Sequence, residues 1–566
     1  MVHLHVHSNH SLLEGVPTIP QLIARAVEYG MKTLALTDTG GLYGAIPFYK
    51  AARDANIKPI IGAKLDDIVF LARDRLGYAE LCRIVTDYHL NEITLSPSDH
   101  LFMMTSDMKQ IDALCARGIQ PLVAVTYYGG SRYHVQRLVD FAHAHQLRPV
   151  AINPVYFLDP SQEKMHHVLT AIRLNKTIDT LTPNEVAPSR AFFQMPDDMA
   201  RLYSDWPEAL ENTQWVAEQC NLELQLGTPL FPECDLPKDE TPFSFLWKRT
   251  YEGINRRYPH LTPQIVDRLH RELDVIYRLG FAPYFLIVWD IVQHAVSLDI
   301  PIVGRGSAAN SLVAYALGIT RVDPFKYDLY FERFLNPSRT DCPDIDLDIC
   351  WRRRDDVIDY VYEKYGAERV AMICTFNTFQ ARSALRDVAK TFGLTEDEIN
   401  EIVRQLPHYK AADVRTVVKF LPECRYLRLD EEPLKSILEI SEQLDGYPRH
   451  LSIHSGGLVI APEALTHFVP LQRSPKGILI TQYDMHPVED LGLIKMDLLG
   501  HRSLTVIQET VNMVRENRGI RLDIERIPDP DPLTANLIRN GRTIGCFQIE
   551  SPAMRGLLRR VAAGDT

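Results

Sequence analysis

Short apolar runs alternate with amphipathic stretches over the first 175 or so residues. KTLALTD precedes GLYGAIPFYKAARDANI, PIIGAKL follows, QPLVAVTYY precedes SRYHVQRLVDFAHAHQL, and RPVAINPVYFL closes the series. Strand-length runs followed by helix-period patterns predict an α/β domain with largely parallel strands. Residues 176 to 225 read as a helical connector, and the prolines of LGTPLFPECDLPKDETP mark a boundary near 226 to 242. Helical periodicity returns from 243 to 300, as in FSFLWKRTYEGINRRY and YFLIVWDIVQHAVSL. A glycine-rich turn, the helix-like SLVAYALGI, an acidic strand and the helix RRRDDVIDYVYEKYG come next. Residues 375 to about 447 predict nearly all helix. GGLVIAP, GILITQYD and LGLIKMDLLG predict strands between 453 and 500, and SPAMRGLLRRV predicts a helix near the end.

The 566 residues are too many for one core, which implies three or four domains. With 46% hydrophobic and 24% charged residues, the composition is that of a soluble globular protein. There is no run of eighteen apolar residues, and MVHLHVHSNHSLLEG carries no apolar secretion signal. Nine scattered cysteines without a C-x-x-C pair argue for a reduced, cytosolic setting and against a zinc ribbon or disulfide framework. The net charge of −12 counts mildly against nucleic acid as a partner, although a local basic groove can sit on an acidic protein.

The chemistry concentrates in TDCPDIDLDIC, where Asp344, Asp346 and Asp348 alternate with Pro343, Ile345 and Leu347. On a strand these acids share one face and repel each other. A divalent cation between them relieves the repulsion; an exposed acidic loop is the simpler alternative. In VGRGSAANS, the small residues Gly304, Gly306, Ser307, Ala308 and Ala309 precede a helix-like run, so backbone N–H groups can approach phosphates, and Arg305 adds a guanidinium. A tight structural turn is at least as good a reading of that loop alone. Asp497 stands in the apolar run LGLIKMDLLG, where a buried carboxylate needs a cation: Lys495 on the same strand face, or a shared metal. A G-S turn, D-x-D on a strand and a third carboxylate on another strand form the set that two-metal nucleotidyl transfer requires.

GRGSAANSLVAYALGITRVDP, FERFLNPSR, PDIDLDI, HSGGLVIAP, ITQYD, IKMDLLG and GCFQIESPAMRGLL follow one another as they do in bacterial C-family DNA polymerases. The whole chain resembles the DNA polymerase III alpha subunit family. The resemblance implies a multidomain α/β protein: a PHP-type α/β barrel-like domain with a helical connector (1–225), a β-type nucleotidyltransferase palm (226–374 and 451–502), an inserted helical thumb (375–450) and the start of a helical fingers domain (503–566). It implies Asp346, Asp348 and Asp497 as catalytic carboxylates holding two Mg²⁺ ions, with Asp344 as a flanking acid. Gly306 and Ser307, with Arg305 and Lys495 nearby, would meet nucleotide phosphates. Arg352, Arg353, Arg354, Arg382 and Arg386 would meet DNA phosphates, a solvated or salt-bridged face being the alternative for each. The implied partners are primer–template DNA, dNTPs and, through further segments, a sliding clamp and other subunits, with no membrane. The implied location is the bacterial cytoplasm at the nucleoid. RGSAANS and PDIDLDI lean towards the error-prone branch.

The sequence departs from the family pattern at the first domain. His5, His7 and Glu14 match the first PHP metal motif, but Thr39 replaces a histidine, Lys64 an acid, and Pro154 and Tyr156 an Asp and a His. The expectation is therefore no complete PHP metal cluster, no phosphoesterase or proofreading activity, and a supporting role. Family members also continue beyond SPAMRGLLRR, so the chain is expected to be a fragment, a truncated product or half of a split enzyme. A PHP-type phosphoesterase or 3′–5′ exonuclease and an inactive structural subunit are the competing readings.

Overall fold

The computed structural model describes residues 1–566 except 129, 337–342, 406–409, 414–415, 417–419, 421–430, 525–526, 528–530 and 563–566. Asp341 and part of the expected thumb therefore lie outside the described residues. The chain forms two compact units. One is Met1–Pro232 with Ala367–Lys495; the other is Glu233–Gly366 with Met496–Thr566.

The first unit opens with six strands: β1 (Thr33–Thr39), β2 (Lys58–Leu65), β3 (Ile68–Ala72), β4 (Leu101–Thr105), β5 (Leu122–Thr126) and β6 (Pro149–Ile152). They pair in sequence order. The pairs β1–β2, β4–β5 and β5–β6 are parallel, as the strand–helix alternation predicts, while β3 runs antiparallel to both neighbours. The segment His3–His7 closes the curl of this sheet. Thr37 N donates to Val6 O (2.8 Å) on one side, and His7 N to Val155 O (2.9 Å) on the other. The expected connector is helical over Pro196–Leu202 and Pro207–Gln219 only. Before these, Pro183 and Pro188 remove backbone donors, and the sole helical piece from 176 to 195 is a 3-10 turn, Ile178–Thr180.

The later strands are β7 (Ile302–Arg305), β8 (Asp346–Cys350), β9 (Val370–Thr378), β10 (Pro448–Ile460), β11 (Leu471–Arg473), β12 (Leu479–Thr481) and β13 (Ile494–His501). In the first unit the order is β11-β12-β9-β10. Helices Ala381–Thr391, Glu396–Gln405 and Leu434–Gln443 lie between β9 and β10. The helical stretch thus begins and ends inside the expected limits of 375 and 450, because VAMICTFNT pairs with β10 as far as Thr378↔Pro448. The N-terminal segment shares its core with this later part: Leu81 and Val85 belong to one apolar cluster with Leu465 and Val469. Tyr78 Oη donates to Phe468 O (2.9 Å), and Leu42 N to Gln482 Oε1 (3.0 Å).

In the second unit β8 lies between β7 and β13, antiparallel to the first and parallel to the second. Helices Pro242–Arg257, Pro263–Arg278 and Ala282–Ser297 precede β7. Gly253 lets the first of them approach the helix Leu312–Ala316, since a Cβ there would stand 1.9 Å from Ala316 O. The unit ends in helices Arg502–Arg518, Pro532–Arg539 and Pro552–Val561, in which Thr505 alone is buried. No single described helix is long and apolar enough to cross a membrane.

Candidate active site

Alternation along β8 buries Leu347 and Ile349 completely and turns Asp346 and Asp348 to the opposite face. Asp346 stands opposite Asp497 in the parallel ladder and opposite Arg305 in the antiparallel one. Ahead of the strand, Ile345 N donates to the buried Tyr284 hydroxyl (3.0 Å), which fixes the lead-in that carries Asp344. Asp344, Asp346 and Asp497 each offer a carboxylate oxygen, and the three lie within 4.8 Å of one another. Burial, then the charge of Asp344, then Asp497 and a hydrogen bond with it raise the Asp346 pKa to about 6, against the pull of Arg305. The Arg305 Nε lies 3.5 Å from Asp346 Oδ2 and 3.3 Å from Asp348 Oδ1.

This arrangement changes the expected set in one respect. Asp344, read from the sequence as a flanking acid, joins Asp346 and Asp497 in the tightest carboxylate group, while Asp348 is engaged by Arg305. Crowded oxygens of like charge suit a hard divalent cation, which takes oxygen ligands and supplies the missing positive charge. The donor set therefore fits such an ion.

The G-S turn lies beside these acids. Gly306 adopts φ +69°, and a Cβ there would come 3.9 Å from Asp346 Oδ2. Gly306–Asn310 is a 3-10 turn, followed by the five-residue helix Leu312–Ala316. Two backbone donors at the start of that helix are already engaged. Ser311 Oγ accepts from Ala314 N (3.1 Å), and Glu272 accepts from Val313 N (3.1 Å).

Lys495, on β13, is mostly buried and 3.7 Å from Glu489. Arg352 pairs with Glu509 (2.9 Å) and Arg353 with Asp356, both beyond the far end of β8. Arg354 is half-buried and donates to Leu498 O (2.7 Å), a bracing contact. Arg386 ties its helix to the next through Glu396 (3.0 Å) and Asn400 (2.7 Å); Arg382 sits one turn earlier, partly buried.

At the first domain His5 and His7 meet each other, Nε2 to Nε2 at 3.0 Å. His7 Nδ1 reaches Ser11 Oγ (3.1 Å) and Thr39 Oγ1 (3.3 Å), and its ring stacks on Tyr156 at 4.2 Å. Burial, then the charge of Lys64, lowers the His5 pKa to about 3; burial, His5 and Lys64 hold His7 low as well. Asp38 accepts from Ser8 N (2.7 Å) and Ser11 Oγ (2.7 Å). Glu14 is buried, and its carbonyl accepts from His166 (2.8 Å). Among the described residues, these side chains do not form a metal-capable group of three.

Residues 3–152 match the PHP domain, residues 244–500 the bacterial DNA polymerase III alpha NTPase domain, and residues 503–565 the bacterial DNA polymerase III alpha subunit finger domain. A PHP domain joined to polymerase palm and finger domains defines the class. The chain belongs to the bacterial DNA polymerase III alpha subunit family. It is 36% identical to the error-prone DNA polymerase of Symbiobacterium thermophilum, over 99% of this chain and 56% of that one. The DNA polymerase III alpha subunits of Bacillus subtilis and Escherichia coli are 35% and 33% identical, over 99% of this chain and 54% and 53% of theirs. The chain spans about half the length of the curated relatives it matches.

Proposed function

We propose that this chain carries the catalytic centre of a template-directed DNA polymerase, which transfers a nucleotidyl group from a dNTP to a primer 3′-hydroxyl on primer–template DNA. The observation that carries the reading is the register of Asp346 against Asp497, 151 positions apart in sequence, with Asp344 in the same group and the Gly306–Ser307 turn alongside. Asp346 and Asp497 would hold Mg²⁺, with Asp344 or Asp348 completing the set. When bound, a pair of such ions neutralises charge on the attacking and leaving oxygens of an in-line displacement. Gly306 and Ser307 receive the triphosphate through backbone N–H groups of the turn. Arg305, half-exposed beside the turn, would meet phosphate oxygens bidentately. Catalysis is then mainly positioning and charge compensation. Arg352, Arg353 and Arg382 would meet the DNA backbone, the first two exchanging their ion pairs with Glu509 and Asp356 for phosphate, and Lys495 would lie close to the nucleotide.

The first domain serves as structural support, through the core it shares with Leu465 and Val469. The reading places the protein in the bacterial cytoplasm at the nucleoid, with clamp and subunit contacts made by other segments. Primer extension with Mg²⁺ and dNTPs tests it. The chain, completed if necessary by the polypeptide matching the second half of its relatives, extends a primer according to template. Asp346→Ala/Asp348→Ala reduces the rate by at least about 10²-fold. Extension that survives this double substitution would end the proposal.

A further inference from the structure

Two side chains outside the sequence motifs tie the Gly306–Ser307 turn to the body of its unit. Arg268 and Glu272 lie one turn apart on Pro263–Arg278, with side chains 12% and 0% exposed, and pair at 3.0 Å. The Arg268 guanidinium also donates to three backbone carbonyls: Asn310 (2.9 Å), Leu329 (2.7 Å) and Pro324 (3.3 Å). The second oxygen of Glu272 accepts from Ser311 Oγ (3.0 Å) and Val313 N (3.1 Å). Asn310 Nδ2 in turn donates to Ser307 O (2.8 Å). A continuous relay thus runs Glu272–Arg268–Asn310–Ser307 and ends beside Asp346.

A buried ion pair adds little stability over a well-packed apolar pair. Its distinctive contribution here is directional: one planar fork ties the 3-10 turn ending at Asn310 to the turn between Pro324 and Leu329, a geometry that a lysine's single ammonium does not reproduce. We propose that Arg268 and Glu272 are positioning residues. They set the Gly306–Ser307 turn over the carboxylates and thereby the affinity for the triphosphate of the incoming nucleotide, touching no substrate themselves. The inference rests on the polymerase reading above.

The test measures Mg²⁺-dependent binding of a fluorescent dNTP by anisotropy on the full chain, with primer–template binding in parallel. Arg268→Lys is expected to weaken dNTP binding about ten-fold and to leave DNA affinity within about two-fold, since small misplacement at a reacting group is costly. Where extension is measured, KM for dNTP rises while kcat changes less. Asn310→Ala cuts only the last link to Ser307 and should act in the same direction, which keeps the proposal testable if Arg268→Lys does not fold. Glu272→Gln retains its two acceptor contacts and should fall between Arg268→Lys and the parent. Unchanged dNTP affinity in both Arg268→Lys and Asn310→Ala, or equal losses of nucleotide and DNA binding, would overturn the inference alone. A parent chain whose dNTP binding is absent, or is indifferent to Asp346→Ala/Asp348→Ala, would remove the polymerase reading and this inference with it.

Discussion

Asp346 is the residue where burial, like charge and a shared hydrogen bond meet. Its raised pKa means that the folded chain binds a proton more tightly than the unfolded chain between the ordinary carboxylate value and about pH 6. Its contribution to stability is therefore present in acid and is lost as pH rises through that window. A divalent cation reverses the penalty only where the carboxylates are ionised. The rise in melting temperature on adding Mg²⁺ should be larger at pH 7.5 than at pH 5.5, and Asp346→Asn should abolish most of it; a shift equal at both pH values would contradict this. The strand placement of Asp346, Asp348 and Asp497 was legible because alternation and an apolar setting are visible in the sequence. The nearness of the Asp344 carboxylate to those of Asp346 and Asp497 was not, because the lead-in to the strand is held by the Tyr284 hydroxyl on Ile345 N from 61 positions away. The engagement of Asp348 by Arg305 was hidden for the same reason: strand pairing, not local pattern, brings them together.

Among the elements, the helix Pro242–Arg257 can lie against Leu312–Ala316 only because residue 253 has no Cβ. Gly253→Ala meets a backbone carbonyl that cannot swing aside, so it should destabilise the second unit by about 1–3 kcal/mol or more, read as a lower urea midpoint. It should also disturb the short helix that follows the G-S turn. In the first unit, burial lowers the pKa of His3 and His10 to about 4 and of His5 to about 3. Each therefore favours folding above the unfolded value near 6.5 and loses that contribution as pH falls towards 3 to 4. Unfolding of this unit, followed by tryptophan fluorescence, should steepen below pH 6, and His5→Gln should flatten the slope. The alternation of strands and helices was readable in β1, β2, β5 and β6. β3 and β4 were not read from IVFLA and LFMMT, short apolar runs that resemble pieces of buried helix. That Val313 N and Ala314 N, at the start of the helix after the G-S turn, are already bonded was not legible, because Glu272 lies 39 positions from Ser311.

For the whole molecule, the pairing of His5 with His7 and the stacking of Tyr156 predict that the first domain performs no metal-dependent 3′–5′ hydrolysis. The Asp346→Ala/Asp348→Ala chain, assayed with Mn²⁺ or Zn²⁺ on a labelled primer, should leave the DNA intact. At the other end, Leu533, Ile544 and Val561 are 78%, 74% and 65% exposed on or beside helices with no buried residue of their own. The helices Pro532–Arg539 and Pro552–Val561 pack against each other, so apolar side chains exposed on them favour association. Light scattering should show this chain self-associating with concentration, and Leu533→Glu/Ile544→Glu should reduce it. The order of domains was legible because long motifs follow one another. That the first domain shares its core with residues beyond 460 was not, because apolar residues do not announce their partners.

The register of β8 against β13 also carries a consequence for synthesis on the ribosome. At about 5–20 residues per second, the strand with Asp346 leaves the ribosome roughly 8 to 30 s before the one with Asp497. Arg305 precedes both and pairs with Asp346 and Asp348 from the antiparallel neighbour. It can escort the nascent acids through the wait, holding their charge in check until translation delivers the last carboxylate.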